Sequence, residues 1–459
     1  MLKHYANNTK TTHKDKAMKT TKSTSSVASN SRIKYHIKPA KSPKTPTKSH
    51  IDLAISKANK SAILPIYARQ EVVFSHGKGI YLYDTKGKKY LDFGAGIAVN
   101  ALGHAHKDFT NALKKQASKL IHISNLYYNT PAIKAANKLA KASNLSKVFF
   151  TNSGTEAIEG ALKVAKKYAY NKGINNPKII AFKDSFHGRT LGALSVTGNE
   201  AYQKPFKPLL DWVEFAEFNN IKSVEHIISK HNNKDSKVCA VILETVQGES
   251  GILPAKATFL RELRHICKTK DILLILDEIQ CGMARSGSMF AYQQFGIMPD
   301  ILTTAKALGC GVPVGAFVLS ENVAQHSLTK GDHGSTYGGN PFACAAVCKV
   351  FEIFKKNRIL DRVNANAPIL KNALESIKKQ FSFIKEVRVM GLLAGLELDS
   401  HIKISEVIES ARKRGLIILP AGKNTLRFAP PLIIKPKHIK QMQKILESSL
   451  KEFVSKPQK

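Results

Sequence analysis

The stretch KVFFTNSGTEAIEGALKVAKKYAY, residues 147–170, changes its period in the middle. KVFFTN is an apolar run of strand length closed by small polar residues, and AIEGALKVAKKYAY carries apolar positions at helical spacing. Ser153, Gly154 and Thr155 stand at the junction. They offer hydroxyls, a flexible backbone and free N–H groups at a helix start, which together suit an anion such as a phosphate. The plainer alternative is an ordinary capped helix with Ser153 or Thr155 as the cap.

The same texture extends outward. KIIAF, VCAVILE and ILLILD are further continuous apolar runs, and helical patterns separate them. Strands buried on both faces lose the alternating pattern, so this texture predicts an α/β fold with a mostly parallel sheet flanked by helices. Residues 106–349 are expected to form this large domain. Residues 57–105 read differently: EVVFSHGKGIYLYDTKGKKYLDF alternates as short strands do, broken at Gly77, Gly79 and Gly87. From 350 to 459 helices dominate, with short strands near VRVMGLLAGLEL and GLIILP, and a smaller C-terminal domain is expected there. Residues 1–56 are rich in Lys, Ser, Thr, Asn and Pro with no recurring apolar period, the composition of a disordered basic tail.

Of the 459 residues, 43% are hydrophobic and 23% charged, enough for a large core. Charged residues interrupt every apolar stretch before the ~18–20 residues that a membrane span needs. The net charge of +37 is large, and the first sixty residues hold fourteen Lys or Arg against two Asp. Beyond that tail the basic residues are dispersed along helical segments without interleaved aromatics, so specific nucleic-acid binding is not expected. The six cysteines, Cys239, Cys267, Cys281, Cys310, Cys344 and Cys348, show no C-x-x-C spacing. Core packing in a reduced, cytoplasmic enzyme accounts for them, and no metal is expected.

Four more stretches carry chemistry. LLILDEIQCG, residues 273–282, runs four aliphatic residues into the adjacent acids Asp277 and Glu278. Such a strand end serves a Mg²⁺-nucleotide site or presents an acid to the ring nitrogen of pyridoxal phosphate. The first use needs a G-x-x-x-x-G-K-[ST] loop, and the Gly-Lys pairs at 77–78, 87–88 and 422–423 do not complete one. In PDILTTAKALGCGVPVGAF, residues 299–317, Lys306 follows an apolar strand. Burial disfavours an ammonium, and the neutral amine it leaves is what Schiff-base chemistry requires. A surface lysine after a strand is the competing account. HGSTYGGNPFACA, residues 333–345, offers the hydroxyls of Ser335 and Thr336 in a glycine-rich loop. In KDSFHGRT, residues 183–190, Phe186 can stack on a planar ring and Arg189 can hold a carboxylate two-pronged, unless the loop merely faces solvent.

Taken in order, these stretches resemble the class-III, fold-type-I pyridoxal-phosphate aminotransferases. The resemblance spans Leu64 to Lys451 and is carried by GIAVNALGHAH, HISNLYYNTP, NSGTEA, DEIQCGMARSG, PDILTTAKALG, HGSTYGGNP and RFAPPLI. It implies a large cofactor domain and a smaller α+β domain built from the N- and C-terminal parts. It implies that Lys306 is the covalent attachment point of pyridoxal 5'-phosphate and that Asp277 pairs with the ring nitrogen. Gln280 would approach the ring hydroxyl, Gly154 and Thr155 the phosphate, and Phe186 one ring face. Glu278 and Ile279 would belong to the same cofactor-binding segment. Thr336 would reach the phosphate in the opposite subunit, so a homodimer is implied.

On the substrate side the motifs lean toward the branch that uses N2-acetyl-L-ornithine and 2-oxoglutarate. Arg189 and Ser335 would contact the acetylated donor, and Arg427 would bind a carboxylate of glutamate or 2-oxoglutarate. Glu244 would mask Arg427 while the other substrate occupies the site. The departures from the family pattern are Ile158, where many members carry Asn, and Cys310, where Gly is common. The branches acting on ornithine, succinyldiaminopimelate and 4-aminobutyrate share the scaffold motifs and remain the alternatives.

Overall fold

The computed structural model describes residues 61–231 and 236–454. The expectation of a basic tail over 1–56 lies outside the described residues.

Strands β1 (Phe74–Lys78), β2 (Tyr81–Asp84) and β3 (Lys89–Asp92) form an antiparallel meander at the start of the described chain. The large sheet follows with β4 (Lys147–Thr151), β5 (Pro177–Phe182), β6 (Val213–Ala216) and β7 (Lys237–Glu244). A two-stranded excursion, β8 (Val246–Gln247) with β9 (Leu253–Pro254), precedes β10 (Leu273–Asp277), β11 (Ile301–Thr304) and β12 (Gly315–Leu319). The seven-stranded order is β4-β12-β11-β10-β7-β5-β6, and β12 alone among them runs against its neighbours. Every residue of β10, β11 and β12 is buried, which is why none of these strands shows the alternation of a half-exposed strand.

Helix Gly154–Asn171 lies against this sheet. Ser153 caps it by accepting a hydrogen bond from the Glu156 amide, and Ala157, Ala161, Val164, Ala165 and Tyr168 are turned inward. The helix packs closely because residue 160 is glycine; a Cβ there would lie 2.2 Å from the Phe317 ring of β12.

The remaining strands are β13 (Ile384–Met390), β14 (Leu393–Leu398), β15 (Leu416–Ile417), β16 (Leu419–Ala421) and β17 (Thr425–Phe428). They form the sheet β13-β14-β17-β16, except that β15 pairs parallel to β3, Leu416 opposite Leu91. The first and last parts of the described chain therefore share a sheet. One expected break is absent: Gly77 lies inside β1, because a side chain there would collide with His104 at 2.6 Å. Gly79 and Gly87 do turn the chain, with φ of 60° and 79°. All six cysteines are free, five of them buried, and Cys310 accepts a hydrogen bond from the Leu102 amide at 3.2 Å.

Candidate active site

The carboxyl ends of β4, β7, β10 and β11 converge, and in an open α/β sheet that is where a crevice forms. The cavity there has a volume of about 480 Å³. Gly154, Thr155, Phe186, Arg189, Glu244, Asp277, Ile279, Gln280 and Lys306 all line it, although 152 residues separate the first of these from the last.

Lys306 opens a tight turn, Lys306–Leu308, two residues beyond β11. Its φ is 44°, an unfavourable value for a residue with a side chain, which the surrounding packing has to impose. Gly309 makes the turn possible, since a Cβ at 309 would sit 2.0 Å from the Val312 carbonyl oxygen. Burial lowers the pKa of the Lys306 amine, while the nearby Asp277 charge opposes that shift.

Asp277 ends β10 with both carboxylate oxygens occupied. The Ile279 amide donates to Oδ1 at 3.0 Å, and His187 Nδ1 meets Oδ2 at 2.8 Å. The His187 ring is buried, and its Nε2 has no partner. The alternative that the loop KDSFHGRT merely faces solvent does not hold for His187, which is folded under the cavity. Glu278, one residue further along, points the other way, as successive strand residues do. Its carboxylate accepts from the Ala291 and Tyr292 amides and the Thr245 hydroxyl, at 2.8, 3.0 and 2.8 Å. Glu278, expected within the cofactor-binding segment, does not line the cavity; it pins the loop beneath the site, and burial raises its pKa.

At the opposite end of the cavity, the amides of Gly154 and Thr155 point from the helix start with no acceptor among the described residues. The Thr155 hydroxyl lies 3.0 Å from that of Thr190, which also bonds Glu159 at 2.6 Å. The phosphate-type turn and the Arg189 loop are therefore braced together.

Arg427, in β17, is buried and sits behind Gln280, whose side-chain oxygen accepts from Nη1 at 3.3 Å. Its ion-pair partner is Glu249 at 2.7 Å, a residue the sequence reading passed over. Glu244 does not mask Arg427, contrary to expectation. Its register partner is Asp277, and its carboxylate accepts from the Phe186 and Gly248 amides at 3.0 and 3.1 Å. Burial, with the Asp277 charge adding to it, raises the Glu244 pKa. Glu249 lies five residues on, in a turn whose carbonyl accepts from the Gly422 amide, and so it faces the C-terminal strands.

Ser335 and Thr336 do not line the cavity. Ser335 Oγ is 3.4 Å from Asn152 Nδ2, and Asn152 does line it; Thr336 is exposed.

These groups fit pyridoxal phosphate. Free amides at a helix start suit the phosphate, and a buried acid held by a histidine suits the ring nitrogen. Phe186 and Ile279 supply apolar walls, and Lys306 supplies an amine of lowered pKa. A Cβ on Gly154 would press to 2.9 Å from Ile279, so the glycine keeps the phosphate end open.

Comparison with known proteins agrees with this chemistry. The family "Aminotransferase class-III" matches residues 66–450. Acetylornithine aminotransferase of Clostridium acetobutylicum is 46% identical over 395 residues, 86% of this chain and 100% of that one. The solved N-acetylornithine aminotransferase of Stenotrophomonas maltophilia K279a is 34% identical, with a TM-score of 0.72 over 85% of this chain and 98% of its own. An ornithine aminotransferase structure from Toxoplasma gondii, described with partial occupancy of PLP at its active site, has a TM-score of 0.83 at 30% identity. It covers 88% of this chain and 96% of its own.

Proposed function

The chain belongs to the class-III aminotransferases, which depend on pyridoxal phosphate, and from that premise we propose that it transfers the side-chain amino group of N2-acetyl-L-ornithine to 2-oxoglutarate. The products are N-acetyl-L-glutamate 5-semialdehyde and L-glutamate, and the reaction serves arginine biosynthesis. The observation that carries this reading is the 46% identity over the whole length of an acetylornithine aminotransferase and 86% of this chain, joined to a cavity where amine, acid and helix start meet.

When bound, the cofactor supplies an aldehyde for the amino group and a cationic ring that draws electrons from the carbon being deprotonated. The chain's own residues do the rest. Lys306 Nζ takes the proton from the amine-bearing carbon of the donor and returns it on the far side of the transferred nitrogen, two atoms away, acting as base and then acid. Asp277, held by His187 and the Ile279 amide, keeps the ring nitrogen protonated. Gly154 and Thr155 anchor the phosphate, Gln280 approaches the ring hydroxyl, and Phe186 and Ile279 confine the ring. Arg189 meets the distal end of the donor, and Ser335, outside this chain's own cavity, would reach the donor in a second copy together with Thr336.

The two substrates make opposite demands near the reacting carbon. 2-Oxoglutarate brings a carboxylate there, and the acetylated donor does not. Arg427 accepts that carboxylate, and Glu249 neutralises Arg427 when the donor is bound. Arg427→Ala should raise KM for 2-oxoglutarate roughly 10- to 100-fold, the loss of one or two charge-assisted hydrogen bonds, and change KM for the donor little. Equal rises for both substrates would contradict the assignment.

The substrate itself is tested by comparing kcat/KM for N2-acetylornithine, ornithine, succinyldiaminopimelate and 4-aminobutyrate. N2-acetylornithine should exceed ornithine and 4-aminobutyrate by at least about tenfold, because a pocket shaped around an acylated amine leaves polar groups unpaired without it. A preference for ornithine or 4-aminobutyrate would move the enzyme to another branch.

A homodimer in the cytoplasm completes the proposal. Leu126, Tyr127 and Tyr128 are 86%, 66% and 94% exposed, and Ile121 and Tyr337 nearby are also exposed. An apolar patch of that kind marks an interaction surface. Asn125 bonds the carbonyls of Ser335 and Gly338, so the patch is continuous with the Thr336 loop, which a second copy would receive at its phosphate end. No helix among the described residues is long and apolar enough to cross a membrane. Sedimentation of the full chain and cell fractionation check these two points.

A further inference from the structure

We propose that Tyr202 is a positioning residue, whose ring fixes the Arg189 guanidinium so that its edge meets the carboxylate of the amino donor. The proposal rests on the donor reading above and adds a residue to it.

A guanidinium uses its two surfaces differently: the flat face packs on aromatic rings, and the edge carries the five N–H donors. Arg189 Cζ lies 3.8 Å from the Tyr202 ring centroid and 5.5 Å from that of Phe186. The two rings meet edge to face, 6.4 Å apart at 85°. The three side chains form a corner at the mouth of the site. Phe186 lines both the inner cavity and an outer one of about 660 Å³; Arg189 lines the inner and Tyr202 the outer.

Arg189 makes no hydrogen bond or ion pair among the described residues. Stacking is thus what orients it, and its whole edge is left for a ligand. An arginine ordered before the substrate arrives loses less entropy on binding.

The base of the stack is firmly held. Tyr202 sits on the short helix Glu200–Gln203, capped by Asn199. Gln203 Nε2 donates to the carbonyls of Leu194, Ser195 and Thr197 at 3.1, 3.3 and 3.0 Å. On the other side Thr190, the neighbour of Arg189, is tied to Glu159 and Thr155. The Tyr202 hydroxyl makes no hydrogen bond among the described residues, so the ring alone carries the effect.

The test compares two donors in the holoenzyme: N2-acetylornithine and its decarboxylated analogue, N-acetyl-1,4-diaminobutane. Tyr202→Ala should raise KM for N2-acetylornithine roughly tenfold, the order of a close cation–π contact, with kcat little changed. The analogue has no carboxylate for Arg189, so its kcat/KM should move less than about twofold. Tyr202→Phe should restore KM for N2-acetylornithine. The visible absorbance of the bound cofactor and the melting temperature should stay at their unsubstituted values. An unchanged KM in Tyr202→Ala, or equal losses for both donors, would overturn the proposal. The unsubstituted enzyme reads the substrate assignment separately. If it prefers another carboxylate-bearing donor, the same comparison is run with that donor and its decarboxylated analogue.

Discussion

Lys306→Ala should lose the absorbance band of the covalent lysine–cofactor link and about 10⁴-fold in turnover, the size of effect that removing a base positioned in the transition state can have. The substitution deletes one amine and leaves the rest of the cavity standing. Gly154 and Thr155 still present their amides, and Asp277 keeps its bonds to His187 and Ile279. Pyridoxal phosphate should therefore still bind, without a covalent link, and the melting temperature should still rise when it is added. The pKa direction adds a second readout. Burial lowers the Lys306 amine, so a larger fraction is neutral near pH 7 than for a free lysine. Capture of added cofactor by the stripped enzyme should accordingly begin at lower pH than capture by a free lysine amine. Removing the positive φ is no part of this effect, because alanine meets the same strain. Turnover within about tenfold of the unsubstituted enzyme would show that the proton moves through another group.

The sheet was legible in the sequence for a physical reason. β7, β10 and β11 are covered on both faces, so their middles are unbroken apolar runs, Val238–Leu243 and Leu273–Leu276 above all, and these stand out. The turn at Ser153–Thr155 was legible because a period change marks it. What the sequence concealed is what tertiary approach assembles. His187 lies ninety residues from Asp277 and reaches it only because the loop after β5 folds over the end of β10. In KDSFHGRT nothing distinguishes it from a solvent-facing histidine. Glu244 and Glu249 posed a different difficulty, since both lie in ETVQGE and either could be imagined beside Arg427. The choice depends on where β7 ends. Glu244 is its last residue and takes the Asp277 register, whereas Glu249 lies past β8 in the turn against β17. Gly77 is a smaller instance: a glycine that reads as a strand breaker stands inside a strand because His104 leaves no room for a side chain.

Asp277→Asn should slow the donor half-reaction roughly 10³-fold, about 4 kcal/mol of barrier, while leaving the fold intact. Asparagine has the shape of aspartate, and the local hydrogen bonds can adapt. Its oxygen can keep the bond from the Ile279 amide, now made to Oδ1 at 3.0 Å, and its amino group then faces His187 Nδ1. His187 can accept there by moving its proton to Nε2, which has no partner to lose. Geometry is thus conserved and only the negative charge disappears, so the loss measures what that charge does for the ring nitrogen. A cofactor analogue methylated at that nitrogen carries the positive charge permanently and needs no acid opposite it. In Asp277→Ala, where space is left for the methyl group, the analogue should recover part of the rate, and in the unsubstituted enzyme it should give no gain. Stopped-flow decay of the cofactor absorbance on mixing with N2-acetylornithine measures each case. A near-normal rate in Asp277→Asn, or no recovery with the methylated analogue, would mean that the acid at the end of β10 orients the site without polarising it.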